Sequence, residues 1–348
     1  MPPPVPPVLV GAATTLLVCL AVALAARVPL VLGALGRAAA GAWGGAAALA
    51  ARANVGGALG DARYALRLAL GSAQAWMDEV HAAFNRAFGP EDVMLPANDW
   101  SVCTLQERMR VGNGCVKYRF KLPGPACVLP LELGQELTLC GLDAAGRVAS
   151  ASCVPLSPRA AQGYVDVVVA KPRPPDAPLT AAGAAAVGGA DFARLLETLA
   201  IGDEVAARPG RAMLQYRGPY APITDVVLIA CGLGVVPMLQ LVRELLPARE
   251  SSVRAASVVW LNEAAEDFAL YGELERAFYK YHRKLDVACI IERDLFGHAL
   301  AGNRRVREAV PAFRIGTLAV VSGPDFFVAK VRDYLVRQGY PDEVIITV

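Results

Sequence analysis

The pattern of apolar and polar positions changes three times along this chain of 348 residues. From Val8 to Ala26 the run VLVGAATTLLVCLAVALAA carries no charge. As a helix it would rise roughly 28 Å, about one bilayer core. Residues 38–56 stay rich in Ala and Gly around Trp43, a composition that suits a second, weakly apolar helix on or in a membrane. Then Leu66, Leu70, Ala73, Met77, Val80, Phe84 and Phe88 recur at three- and four-residue steps. Arg63, Arg67, Asp78, Glu79 and Arg86 lie between them. That is the stripe of an amphipathic helix, or of a kinked pair broken at Gly71. Pro90 and the turn Pro96-Ala97-Asn98-Asp99 end the segment.

From about residue 98 the period shortens. WSVCTLQERMRV, CVKYRFKL, ELTLCGL and YVDVVVAK alternate with turns such as Gly112-Asn113-Gly114 and Pro123-Gly124-Pro125. Short strands at this spacing predict a small antiparallel β-barrel over 98–220. From 221 to 348 strand-like runs (DVVLIA, SVVWLN, LDVACII, TLAVVS, VIITV) alternate with helical ones (MLQLVRELL, YGELERAF, DFFVAKVRDYLVR). That alternation predicts a doubly wound, parallel α/β domain. The plan is therefore a membrane anchor over 1–56 with its transmembrane helix at about 8–26, a helical linker over 57–97, a barrel, and an α/β domain.

Charge narrows the partners. With 34 basic and 32 acidic residues the chain carries +2 and no polybasic tract, which argues against nucleic acid. Arg27 and Arg37 follow the apolar run and no basic residue precedes it. This bias places the globular part on the positive-inside face. The rival reading is a cleaved signal or transit peptide ending near Ala23-Leu24-Ala25, but Met1–Pro7 lacks a basic n-region. The Ala-rich start suits an organellar inner membrane or a bacterial one, with other subunits of a membrane complex as partners.

Eight cysteines include no CxxC pair. Cys115, Cys127, Cys140 and Cys153 recur every twelve or thirteen residues. Either they cluster or pair, or successive strands each place one small thiol in a reduced core. His81, His282 and His298 are too far apart in sequence to suggest a metal site.

The most specific chemistry lies at Asp225–Pro237. An apolar run enters Cys231-Gly232-Leu233-Gly234-Val235-Val236-Pro237 and then a helix. Strand, glycine turn and helix form the arrangement that lets backbone approach a pyrophosphate at a helix N-terminus. On this reading Gly234→Val abolishes NADH-dependent reduction by blocking that approach.

KYRFKLPGP, LPLELGQELTL, VPLSP, GYVDVVV and LLETLAIGDEVAARP follow one another in an order that resembles the flavin-binding barrel of the ferredoxin–NADP reductase and cytochrome b5 reductase superfamily. GLGVVPMLQLVRELL resembles the same superfamily's nucleotide turn. The resemblance implies NADH passing electrons to FAD and on to a one-electron carrier. It assigns Gly232, Gly234, Pro237, Asn262, Glu263, Gly323 and Pro324 to the NAD side. Ser322 stands where the family has a cysteine beside the nicotinamide and is the nearest candidate for a catalytic role. Glu263 stands where the family often has Arg; an acid there repels a 2′-phosphate and favours NADH over NADPH, though a solvated acidic turn reads the same way.

On the flavin side the resemblance leaves Pro155, Ser157 and Lys171. The family's Arg-x-Tyr-Ser falls on Ala151, Cys153 and Val154, and its Gly-x-x-Ser on Ala190–Ala193. The aromatic C-terminus is Val348 here. Each lost hydrogen bond to a charged group removes roughly 1.5–3 kcal/mol. The sequence thus supports a reductase fold degenerate at its flavin site, serving as a structural or accessory subunit, with FAD binding doubted. The alternative is an active NADH-dependent FAD reductase.

Overall fold

Period-two alternation builds the first sheet. In the strand Ser101–Gly112, Ser101, Cys103 and Leu105 are buried while Val102 between them is exposed. The computed structural model describes residues 93–112, 114–143, 146–171, 190–214, 222–248, 251–292, 300 and 302–348. The expected spans 8–26 and 38–56, and the linker up to residue 92, lie outside them. Among the described residues no helix is long and apolar enough to cross a membrane.

The first half contains β1 (Val93–Met94), β2 (Ser101–Gly112), β3 (Cys115–Lys121), β4 (Cys127–Val128), β5 (Gln135–Leu142), β6 (Val148–Cys153), β7 (Tyr164–Ala170), α1 (Ala190–Thr198) and β8 (Glu204–Ala212). Six of these strands form an antiparallel sheet in the order β6-β5-β8-β2-β3-β7. It wraps a core that includes Leu105, Phe120, Leu137, Leu139 and Val167, and α1 inserts Phe192 and Leu196 into it. Gly134 (φ 69°) and Gly202 (φ 101°) take the left-handed turns that lead into β5 and β8. Cys115, Cys127, Cys140 and Cys153 fall on β3, β4, β5 and β6. All four are free thiols, and only Cys140 is partly exposed.

The second half contains β9 (Asp225–Cys231), α2 (Val235–Leu245), β10 (Ala255–Asn262), α3 (Tyr271–Tyr281), β11 (Leu285–Ile291), α4 (Arg304–Ala309), β12 (Thr317–Ser322), α5 (Asp325–Arg337) and β13 (Ile345–Thr347). Its sheet is parallel, in the order β11-β10-β9-β12-β13. β9 lies at the centre with Val226 to Cys231 all buried, as an unbroken apolar run requires. The strand order reverses between β9 and β12. Open α/β sheets place ligands at such a switch point, beyond the carboxyl ends of the strands.

Helix α2 fastens the two halves together. Gln240 Oε1 accepts from the Gly134 N–H at 2.8 Å. Arg243 donates to the Leu156 carbonyl at 2.7 Å and to Glu273 at 2.6 Å. Arg159 reaches Glu244 from the barrel side at 3.2 Å.

Candidate functional site

The glycine turn forms where expected. Gly232 has φ 57°, and Gly232–Gly234 make one tight turn before α2 starts at Val235. Pro237 sits in the first helical turn, where its missing N–H breaks no helical bond. Trp260 and Asn262 lie two apart on β10 and so share a face. Trp260 Nε1 donates to the Gly232 carbonyl at 3.0 Å, and Asn262 Oδ1 accepts from the Gly232 N–H at 2.9 Å. Asn262 is fully buried, and its Nδ2 has no partner.

Gly234 is tight for a different reason than the sequence suggests. A β-carbon there would stand 2.4 Å from the Ser322 carbonyl oxygen and 2.9 Å from the Gly323 nitrogen. The glycine lets two backbones meet across the switch point, so Gly234→Val acts on the fold before it acts on any ligand. Gly323 is equally constrained, since its β-carbon would come within 2.9 Å of the Phe327 ring and 3.0 Å of Cys231 Cβ. Ser322 is buried at the end of β12. Pro324 caps α5, and its carbonyl accepts from the Phe327 N–H at 2.9 Å.

Acidic groups flank this turn. Burial first, then the carboxylates of Glu263 and Asp267, push the Cys231 thiol well above its ordinary range. Cys115, on the barrel, is pushed up to about 11 by burial and then by the same Asp267. Asp267 also accepts from the Ala264 N–H at 3.2 Å, closing the Asn262–Asp267 turn on itself. The β2–β3 hairpin rests on the end of that turn, because a β-carbon on Gly112 would lie 2.5 Å from Ala269 Cα.

On the barrel side, strand parity decides what faces outward. Cys153 is buried in the barrel core and Ala151 packs against the same cluster. Ser152 points the other way and shares a 2.9 Å hydrogen bond with Thr138. Val154, just past the strand, joins an apolar cluster between the two halves. Neither a ring nor a charge therefore stands at the positions aligned with the family's Arg and Tyr. Phe192 and Ala193 are buried in the barrel core, and the side chains of Ala190 and Asp191 lie outside the described residues. Lys171 Nζ is 3.6 Å from Glu197, in the last turn of α1. That is roughly 10 Å along the axis from the helix N-terminus. Pro155 is buried, and Ser157 Oγ accepts from the Asp166 N–H at 3.1 Å. The Val348 N–H donates to the Val321 carbonyl at 2.8 Å.

Between the halves, Cys115, Val154, Leu156, Val168 and Ala170 of the barrel share one apolar cluster with Leu233 and Val235 of the glycine turn. Cα atoms of β7 approach within 8 Å of those of the turn. Gly232, Leu233, Gly234 and Val235 are all buried by protein atoms alone. Apolar side chains from both halves fill this part of the junction. Sequence reasoning named Asn262 but missed Trp260, which holds the Gly232 carbonyl; its signal was an indole N–H two residues before Asn262 on the same strand.

An antiparallel barrel docked on a parallel sheet, with a glycine turn at the switch point, is the two-domain plan of flavin-dependent pyridine-nucleotide reductases. Comparison with known proteins agrees. Residues 102–216 match the family of oxidoreductase FAD-binding domains. NADH-cytochrome b5 reductase 2 of Danio rerio is 26% identical over 266 residues, covering 69% of this chain and 82% of that protein. The protein of the same name from Homo sapiens is 24% identical over 269 residues, covering 70% and 92%. The fold is shared with the cytochrome b5 reductase domain of Ulva prolifera nitrate reductase at a TM-score of 0.60 and 19% identity, covering 73% of this chain and 99% of that one. It is shared too with a ferredoxin NADP+ reductase from Neisseria gonorrhoeae at a TM-score of 0.55 and 14% identity, covering 72% and 98%. In sequence over residues 102–216 and in the fold of both halves, the chain is similar to the ferredoxin–NADP reductase and NADH-cytochrome b5 reductase superfamily.

Proposed function

We propose that this chain keeps the reductase fold as a structural or accessory subunit of a membrane complex and carries no flavin chemistry at the junction of its two halves. One observation carries the reading: Val154, Leu156, Val168 and Ala170 of the barrel share one apolar cluster with Leu233 and Val235 of the glycine turn, so apolar side chains fill this part of the junction. The absent ring and charge at Ala151 and Cys153 support it, as do the carboxylates of Glu263 and Asp267 beside the turn. The uncharged run Val8–Ala26 supplies the anchor, with the globular part on the positive-inside face of an organellar inner membrane or a bacterial one.

A second reading rests on Asn262. Its unpartnered, buried Nδ2 beside Gly232 favours a bound nucleotide, NADH rather than NADPH given Glu263, and so an active NADH-dependent FAD reductase. The two readings separate on the visible spectrum of the detergent-purified full chain. A colourless protein that stays colourless after incubation with FAD supports the accessory role. Flavin bands at about one per chain, bleached by NADH, would overturn it.

A further inference from the structure

Four strands of the barrel sheet turn an uncovered face outward. In register, Val102 of β2, Ala206 of β8, Cys140 of β5 and Ser150 of β6 lie side by side in one row across the sheet. None of the four is buried. Two residues along each strand the same face returns. On one side of the row stand Glu204, Leu142 and Val148, the last two paired across strands and 65% and 70% exposed. On the other side stand Arg208, Thr138 and Ser152, again neighbours in register. The outward face of an antiparallel sheet is ordinarily polar. Here the row is small or apolar, and among these positions only Glu204 and Arg208 carry charge.

This face is complementary to itself. Glu204 and Arg208 stand on one strand, two residues to either side of Ala206. Glu204 makes no ion pair among the described residues, and the Arg208 guanidinium lies over the Trp100 ring at 4.4 Å. A two-fold axis along the middle row turns a second copy face to face with the first. Positions on the row then meet their own counterparts, Cys140 opposite Cys140. Positions on one side of the row meet those on the other side. Arg208 thus meets Glu204 twice, Leu142 covers Thr138 and Val148 covers Ser152. Ala206, Cys140 and Ser150 are small enough to let two sheets approach to the usual spacing of about 10 Å. We propose that this face is an interface between two copies of this chain, packed sheet on sheet about that axis. Four strands and five residues of each give a footprint of roughly 300 Å² on each copy. A standard interface covers about 800 Å² a side, so the pair is weak and depends on concentration.

The interface lies in the barrel alone, and its test is separate from the flavin question. The full-length protein in detergent is followed by sedimentation up to the limit of its solubility, and is treated with a short bis-maleimide. The expected result is a reversible dimer, with a cross-link that maps to Cys140 on both copies and is lost in Cys140→Ser. Glu204→Arg and Arg208→Glu each set like charges opposite one another twice, and each should weaken the dimer by about tenfold or more. Both substitutions together should restore it, since the pair is only reversed. Thermal melting of each variant checks that the barrel is intact. A parent that stays monomeric at every concentration overturns the proposal. So does a double variant no tighter than the single ones, or a dimer whose cross-link survives in Cys140→Ser.

Discussion

Gly234 meets Ser322 at the point where the strand order of the parallel sheet reverses, close enough that a β-carbon on the glycine would stand 2.4 Å from the serine's carbonyl oxygen. The obstacle is backbone, which cannot rotate away. Gly234→Ala is therefore expected to lower stability by about 1–3 kcal/mol, the range for overpacking a filled site, and Gly234→Val by more. Thermal melting without any nucleotide measures it. A variant that melts like the parent and has lost only nucleotide affinity would return Gly234 to the role of a ligand cradle.

Rebuilding the family's flavin motif should fail. In the triple variant Ala151→Arg, Cys153→Tyr and Val154→Ser, the first two side chains enter the barrel core rather than the junction. Cys153 is 4% exposed, so a tyrosine has no room there. The expected outcome is a lower melting midpoint and no quenching of FAD fluorescence on titration. Tight, stoichiometric FAD binding by the triple variant would show that the strand can turn its other face outward.

Arg119 forms a two-pronged pair with Asp166, at 2.7 and 2.8 Å, and lies 4.4 Å over the Tyr164 ring. Its side chain is 31% exposed against 9% for Asp166. Removing it falls between breaking an exposed pair and stranding a buried charge, so Arg119→Ala should cost about 2–3 kcal/mol. Arg119→Lys should recover less than half, because a lysine can neither fork onto the carboxylate nor stack as a plane. Urea denaturation of the parent and both variants checks the order.

Alkaline pH should unfold the protein well before its arginines matter. Burial pushes Cys103 and Cys153 up to about 12, from a value near 9.0. A folded-state pKa above the unfolded one gives stability that is whole below about pH 9 and lost as pH rises towards 12. Each such thiol contributes a slope of about 1.4 kcal/mol per pH unit in that window. Cys153→Ala should shallow the slope between pH 9 and 11 even if it lowers stability at pH 7. Among the described cysteines only Cys140 and Cys289 are partly exposed, and burial pushes Cys289 up to about 11, so Cys140 should be the first alkylated in the folded protein at pH 8.

Much of the fold was legible because it rests on short-range patterns. The runs WSVCTLQERMRV and DVVLIA announced β2 and β9 almost to the residue, since a period of two and an unbroken apolar run have few other uses. The site was less legible because it depends on parity and on distant backbone. Alignment could place Ala151 and Cys153 at the family's Arg and Tyr, but not reveal that both turn inward. A glycine that faces a ligand and one that faces another strand look the same in sequence, and only Ser322 tells them apart. Gln240 sat inside an apolar helical stripe, where its partner Gly134 is more than a hundred residues away.

Helix α2 begins at the glycine turn and, within its first three turns, presents Gln240, Arg243 and Glu244 to the barrel side. The helix that opens from the glycine turn is thus the one bolted to the opposite wall. Separating the two halves along α2 breaks the links to Gly134, Leu156 and Arg159, so the seam is held by polar bonds as well as by its apolar cluster.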